Sequence, residues 1–317
     1  GEGMEESGSG GAIFIGAGAK PSAIQDVVIS GCTAAANGGA IAAEGSGAAI
    51  HRTSVSSCRA GGNGGGIAVS GSVADATLDV AESTVAGSSA GACGGGMWVR
   101  GDGVSLSAAS VALQENTATR GGGACCEGAG ELMLVAGTVS DNVALAAGGG
   151  VAADNCVTTL SGGVVFDGNA VVPPSVASSI LIGGGGIAVS ASSSTAASAG
   201  RTLIDDATFS NNSAPTGGAL LCAADADTDV CKADARACAN RGVVPIGAGG
   251  QRPWVTVTSN ASFADSNEAV RGADVGWVHR RPFGVDVDAP RVASGPVGVN
   301  VTDSPAAVAS GAVWPGT

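Results

Sequence analysis

Acid–base or metal chemistry needs clustered donors, and the two histidines, His51 and His279, stand far apart in a chain of 317 residues. That spacing suits neither an imidazole-based metal site nor a Ser-His-Asp relay, so both read as surface or interface residues. Paired carboxylates could share proton transfer at a glycosidic bond, and Asp205-Asp206 is one such pair. Read as strand neighbours, the two point to opposite faces, which opposes a shared task. Asp225, Asp227 and Asp229 alternate like the opening of an oxygen-rich calcium loop. Such a loop also needs Gly at its sixth position and a carboxylate at its twelfth, where this chain has Val230 and Arg236. A solvated acidic loop is the favoured reading, with calcium as the ion the three would hold. No catalytic set and no other cofactor are expected.

Nine cysteines suit an oxidising compartment. Asn211-Asn212-Ser213, Asn260-Ala261-Ser262 and Asn300-Val301-Thr302 each satisfy the N-glycosylation sequon, and any glycan carried there must face solvent. Together these features point to the secretory pathway and an extracellular or cell-surface location. A net charge of −13 with only 14 Lys plus Arg argues against nucleic acid and anionic lipid as partners. Other proteins of an extracellular assembly, and glycans, fit better. No stretch reaches the roughly 18 apolar residues of a membrane span, and Gly1 opens no leader-like sequence, so the chain reads as a mature or excised segment.

The elements that would position these groups are small. With 55 Gly, 3% aromatics and no Tyr, the core must be thin and made of Ala, Val, Ile and Leu. At 44% apolar the chain is nonetheless hydrophobic enough to fold. A Gly-rich tripeptide followed by an apolar residue recurs from Gly10, Gly38, Gly64, Gly94, Gly121, Gly148, Gly184 and Gly217, with a degraded copy at Gly272. The steps are 28, 26, 30, 27, 27, 36, 33 and 55 residues, the spacing of a solenoid. Between the glycines lie alternating segments such as Thr77-Leu78-Asp79-Val80 and Val255-Thr256-Val257, which carry strand periodicity. The reading is an all-β, right-handed parallel β-helix of about nine rungs spaced about 4.8 Å apart. A tail occupies 1–9, the helix 10–280 with a Cys-containing loop at 222–252, and a Pro-rich cap or linker 281–317.

An apolar residue followed three positions later by Asn precedes most glycine corners: Leu113 to Asn116, Val139 to Asn142, Phe166 to Asn169 and Phe209 to Asn212, with Phe263 to Asn267 looser. Stacked Asn116, Asn142, Asn169, Asn212 and Asn267 are expected to bond to one another and to neighbouring backbone. Paired GGAI-like and FxxN-like elements over about residues 10–280 resemble polymorphic outer-membrane protein repeats and, more broadly, the pectin-lyase-like right-handed β-helix superfamily. Enzymes of that fold cleave acidic polysaccharides. Where the Asn pattern breaks, Ser88, Cys58 and Cys32 stand instead, and Cys32 and Cys58 each lie six residues before a glycine corner. A Cys32–Cys58 disulfide between adjacent rungs is therefore expected. Cys222, Cys231 and Cys238 are candidates for bridges within the loop, while Cys93, Cys125, Cys126 and Cys156 have no assigned partner.

Sugar grooves use exposed rings, and of Trp98, Trp254, Trp277 and Trp314 the first is expected to face outward. The functional expectation is a non-catalytic structural or adhesive module of an extracellular assembly. The competing readings are a polysaccharide lyase or hydrolase of the pectin-lyase type and a passenger domain exported through a barrel.

Overall fold

The computed structural model describes residues 8–19, 22–71, 76–173, 183–191, 201–224, and the shorter runs 242–243, 254–257, 261–264, 266–271, 275–277, 280–281 and 285–287. Among them the chain is a parallel β-solenoid without helix. A complete turn contributes four strands, as in Met97–Arg100, Val104–Ala109, Ala112–Gln114 and Thr117–Arg120. Each strand pairs in parallel with its equivalents on the turns before and after, giving two nine-stranded sheets, two eight-stranded sheets and one short two-stranded pairing. The four large sheets are called first to fourth in the order a turn meets them.

Local sequence explains each sheet. In the second, Ala76–Ala81 alternates buried and exposed positions, so Ala76, Leu78 and Val80 face the lumen while Thr77 and Asp79 face out. Most strands of the third have three residues with one buried at the centre, such as Val55, Val85 and Leu113. That central column widens along the chain to Phe166, Phe209 and Phe263, whose rings stack with centroids 4.7 and 5.0 Å apart.

Corners set the turns. At the Gly-Gly corner the first glycine adopts a left-handed conformation, as at Gly38 (φ 65°) and Gly121 (φ 59°). The second lies under its neighbour's backbone: a Cβ on Gly39 would fall 2.1 Å from the Gly65 carbonyl oxygen. After the second and third sheets most turns are made by a single left-handed residue, and here side chains are accepted: Asp26, Arg52 and Glu82 after the second sheet, Ser57, Glu115, Asp141 and Asn211 after the third.

Two expectations need correction. Trp98 is only 3% exposed, because it stacks in register between Ala68 and Cys125 and clusters with Cys93 outside the lumen. Asp205-Asp206 follows the strand Arg201–Ile204, so the alternation argument does not apply; Asp206 is a left-handed corner residue (φ 53°). Within the segment read as a cap or linker, Val285–Val287 pairs with Trp254–Val257.

Candidate functional site

Among the described residues, the densest set of buried side-chain hydrogen bonds is a polar column inside the corner after the third sheet. Asn116, Asn142, Asn169, Asn212 and Asn267 are 0–3% exposed. The backbone N–H and the Nδ2 of Asn116 both donate to Asn142 Oδ1 at 3.0 Å. Asn142 donates in the same way to Asn169 Oδ1, Asn169 to Asn212 Oδ1, and Asn212 to Asn267 Oδ1. Each Nδ2 also donates backwards to a third-sheet carbonyl, Val85 for Asn116 and Leu113 for Asn142. These bonds satisfy groups whose burial would otherwise cost about 1–3 kcal/mol apiece.

Shorter side chains prolong the column. The Ser88 amide donates to Asn116 Oδ1 (3.0 Å) and the Cys58 amide to Ser88 Oγ (3.2 Å). Cys32 follows on the next turn, since Thr33 and Arg59 are strand partners and the Arg59 amide donates to the Cys32 carbonyl. Cys32 and Cys58 are thus adjacent, as expected, but the crosslink is not formed: both are free thiols, donating to the Ser30 and Ser56 carbonyls of their own turns. Burial pushes the Cys58 thiol up, the Cys32 sulfur adds to this, and the Cys32 and Gly31 amides that face it act the other way.

Among the described residues, disulfides join Cys93 to Cys125 and Cys126 to Cys156, with Cα separations of 5.6 and 5.9 Å. Cys125 and Cys126 are strand neighbours facing opposite sides, so one bonds outside the lumen and the other in the lumen core. The alternating strand around this Cys-Cys pair was the signal for two separate partners. Around the outer bridge, Trp98 Nε1 donates to Glu127 (3.0 Å), while Arg120 pairs with Glu127 and with Asp154 (3.3 Å). Cys93, Cys125 and Glu127 place donor atoms within 4.8 Å of one another, but both sulfurs are spent in the disulfide.

A second column escaped the sequence reading. The Asn37 amide faces Ser9 Oγ, Asn63 donates from its amide (2.9 Å) and Nδ2 (3.1 Å) to Asn37 Oδ1, and the Cys93 amide donates to Asn63 Oδ1. Its signal is Asn immediately before a Gly-Gly corner, at Asn37-Gly38 and Asn63-Gly64.

Of the remaining candidates, Asn211 is an exposed corner residue (φ 53°) whose Nδ2 donates to Asp167 Oδ1 at 2.7 Å. Cys222 lies in the strand Leu220–Ala224, paired with Ile187–Ala191. Asp225, Asp227, Asp229, Cys231, Cys238, Asn260, His279 and Asn300 lie outside the described residues. His51 is half-buried at the end of Ala48–His51. The Asp26 carboxyl, hydrogen-bonded by Arg52 at 2.7 Å, is held below its ordinary range by that bond. An open groove of about 570 Å³ near the first turns is lined by small residues with Thr77 and Asp79. Among the described residues no helix is long and apolar enough to cross a membrane. No family model, curated protein or solved structure matches the chain.

Proposed function

We propose that the chain is a non-catalytic structural or adhesive module of an extracellular or cell-surface assembly, related to the pectin-lyase-like β-helices through its GGAI- and FxxN-like repeats. The observation that carries this reading is where the buried polar groups are spent. Asn, Ser and Cys side chains hold one turn to the next, and among the described residues Thr202 Oγ1 is the one buried side-chain polar atom left without a partner. A stiff stack of turns offers extended outer faces for lateral protein contact. The two disulfides and the acidic charge support an oxidising compartment and protein or glycan partners.

The test is incubation of the purified chain with a panel of acidic polysaccharides, with and without calcium. No release of reducing ends or unsaturated products is expected; product from any of them would replace this reading with that of a lyase or hydrolase. Peptide mapping of native material adds the compartment, with glycan expected at Asn211, Asn260 and Asn300.

A further inference from the structure

We infer that Cys32 and Cys58 form an exchangeable dithiol site, which a small-molecule disulfide of the glutathione type converts into a further turn-to-turn cystine. Three observations carry it. First, the two residues hold equivalent places on adjacent parallel turns, one residue before the strand partners Thr33 and Arg59. Strand spacing of about 4.8 Å falls within the Cα separation a disulfide accepts. Second, both sulfurs are free, whereas the Cys93–Cys125 and Cys126–Cys156 bridges are closed and their four residues are at most 2% exposed. Third, the pair is asymmetric: Cys32 is half-buried and open to solutes, while Cys58 is 1% exposed.

That asymmetry fixes the order of the chemistry. The Cys32 thiol loses its proton and its thiolate attacks one sulfur of the external disulfide. The external S–S bond breaks, one small thiolate leaves and takes up a proton, and a mixed disulfide stands on Cys32. The Cys58 thiol then loses its proton, and its thiolate attacks the Cys32 sulfur and expels the second small thiol. Two protein thiols are oxidised and one external disulfide is reduced to two thiols. The Cys32 and Gly31 amides facing the Cys58 sulfur stabilise the thiolate needed for the second step, against the burial that keeps it protonated at rest. Such a clasp ties together the first turns of the solenoid and opens again in excess small thiol.

The full chain is equilibrated in oxidised and then reduced glutathione, quenched with acid, alkylated and mapped without reduction. Cleavage after Arg52 separates the two cysteines, so their crosslink is read directly. The Cys32–Cys58 link is expected to appear in the oxidised buffer and disappear in the reduced one, while the two buried bridges persist in both and report an intact fold. Cys58→Ser is expected to trap a glutathionyl adduct on Cys32, and Cys32→Ser to leave Cys58 unmodified. Cys32 and Cys58 remaining free in oxidised glutathione, with the buried bridges intact, would overturn the inference. So would a Cys58 adduct in Cys32→Ser, or no adduct in Cys58→Ser.

Discussion

Residue by residue, the buried amides are the most consequential side chains. Asn142→Ala removes donors to the Leu113 carbonyl and Asn169 Oδ1 and strips the Asn116 amide of its acceptor. A loss of about 2–4 kcal/mol is expected, read as a shift in the denaturant midpoint. Asn63→Ala, in the half-buried second column, should cost about 1 kcal/mol in the same measurement. The exposed Asp26–Arg52 pair acts through pH instead. The folded pKa of Asp26 lies below its unfolded value, so its contribution is present above about pH 4 and fades as pH falls through the folded value. Asp26→Asn should therefore lower stability slightly at neutral pH, leave it unchanged below the folded pKa, and flatten the acid limb by that same small amount. The first column was legible because an apolar residue and an Asn recur three apart. The second was not, since Asn37 and Asn63 adjoin glycine and look like ordinary turn residues. The free state of Cys32 and Cys58 was illegible for another reason: spacing gives adjacency, but not oxidation state.

Within the corners, glycine divides into positions that are required and positions that are merely convenient. A Cβ on Gly149 would lie 2.5 Å from the Gly185 carbonyl oxygen and 2.6 Å from Ala170 backbone atoms, so Gly149→Ala must push two turns apart. A Cβ on Gly87 (φ 57°) would meet Ser57 at 3.8 Å, an ordinary contact, and equivalent corners hold Ser57, Glu115, Asp141 and Asn211. Gly87→Asn is expected to change stability by less than about 1 kcal/mol, whereas Gly149→Ala should produce a clear drop in thermal midpoint and loss of amide protection in the flanking strands. The glycine spacing revealed the period because backbone contact leaves no alternative residue. The left-handed corners at Asp26, Arg52, Glu82 and Ser110 gave no such signal, since side chains of varied chemistry fit there. Trp98 misled for a related reason: it points away from the lumen but is covered by Cys93 and its stacked neighbours.

Across the whole molecule, each turn is held chiefly by its two neighbours, so stability should vary along the axis. The two disulfides span 32 and 30 residues and link the turns from Cys93 to Cys156 in succession, each contributing about 3–4 kcal/mol by loop restriction. Reduction under denaturing conditions, followed by alkylation and refolding, is expected to erase the excess hydrogen-exchange protection of residues 97–160 over the terminal turns. Equal loss along the chain would mean the bridges act globally. The polar column also imposes an order on synthesis. Its backbone amides from Cys58 to Asn212 each donate forward, to a residue not yet made when their own turn emerges: Ser88 waits 28 residues for Asn116, and Asn212 waits 55 for Asn267. At about 5–20 residues per second these intervals run to roughly 1–6 and 3–11 seconds. A nascent chain therefore carries one unfinished amide at its growing end, and it does so longest while the segment between the strands Leu220–Ala224 and Trp254–Val257 is being translated.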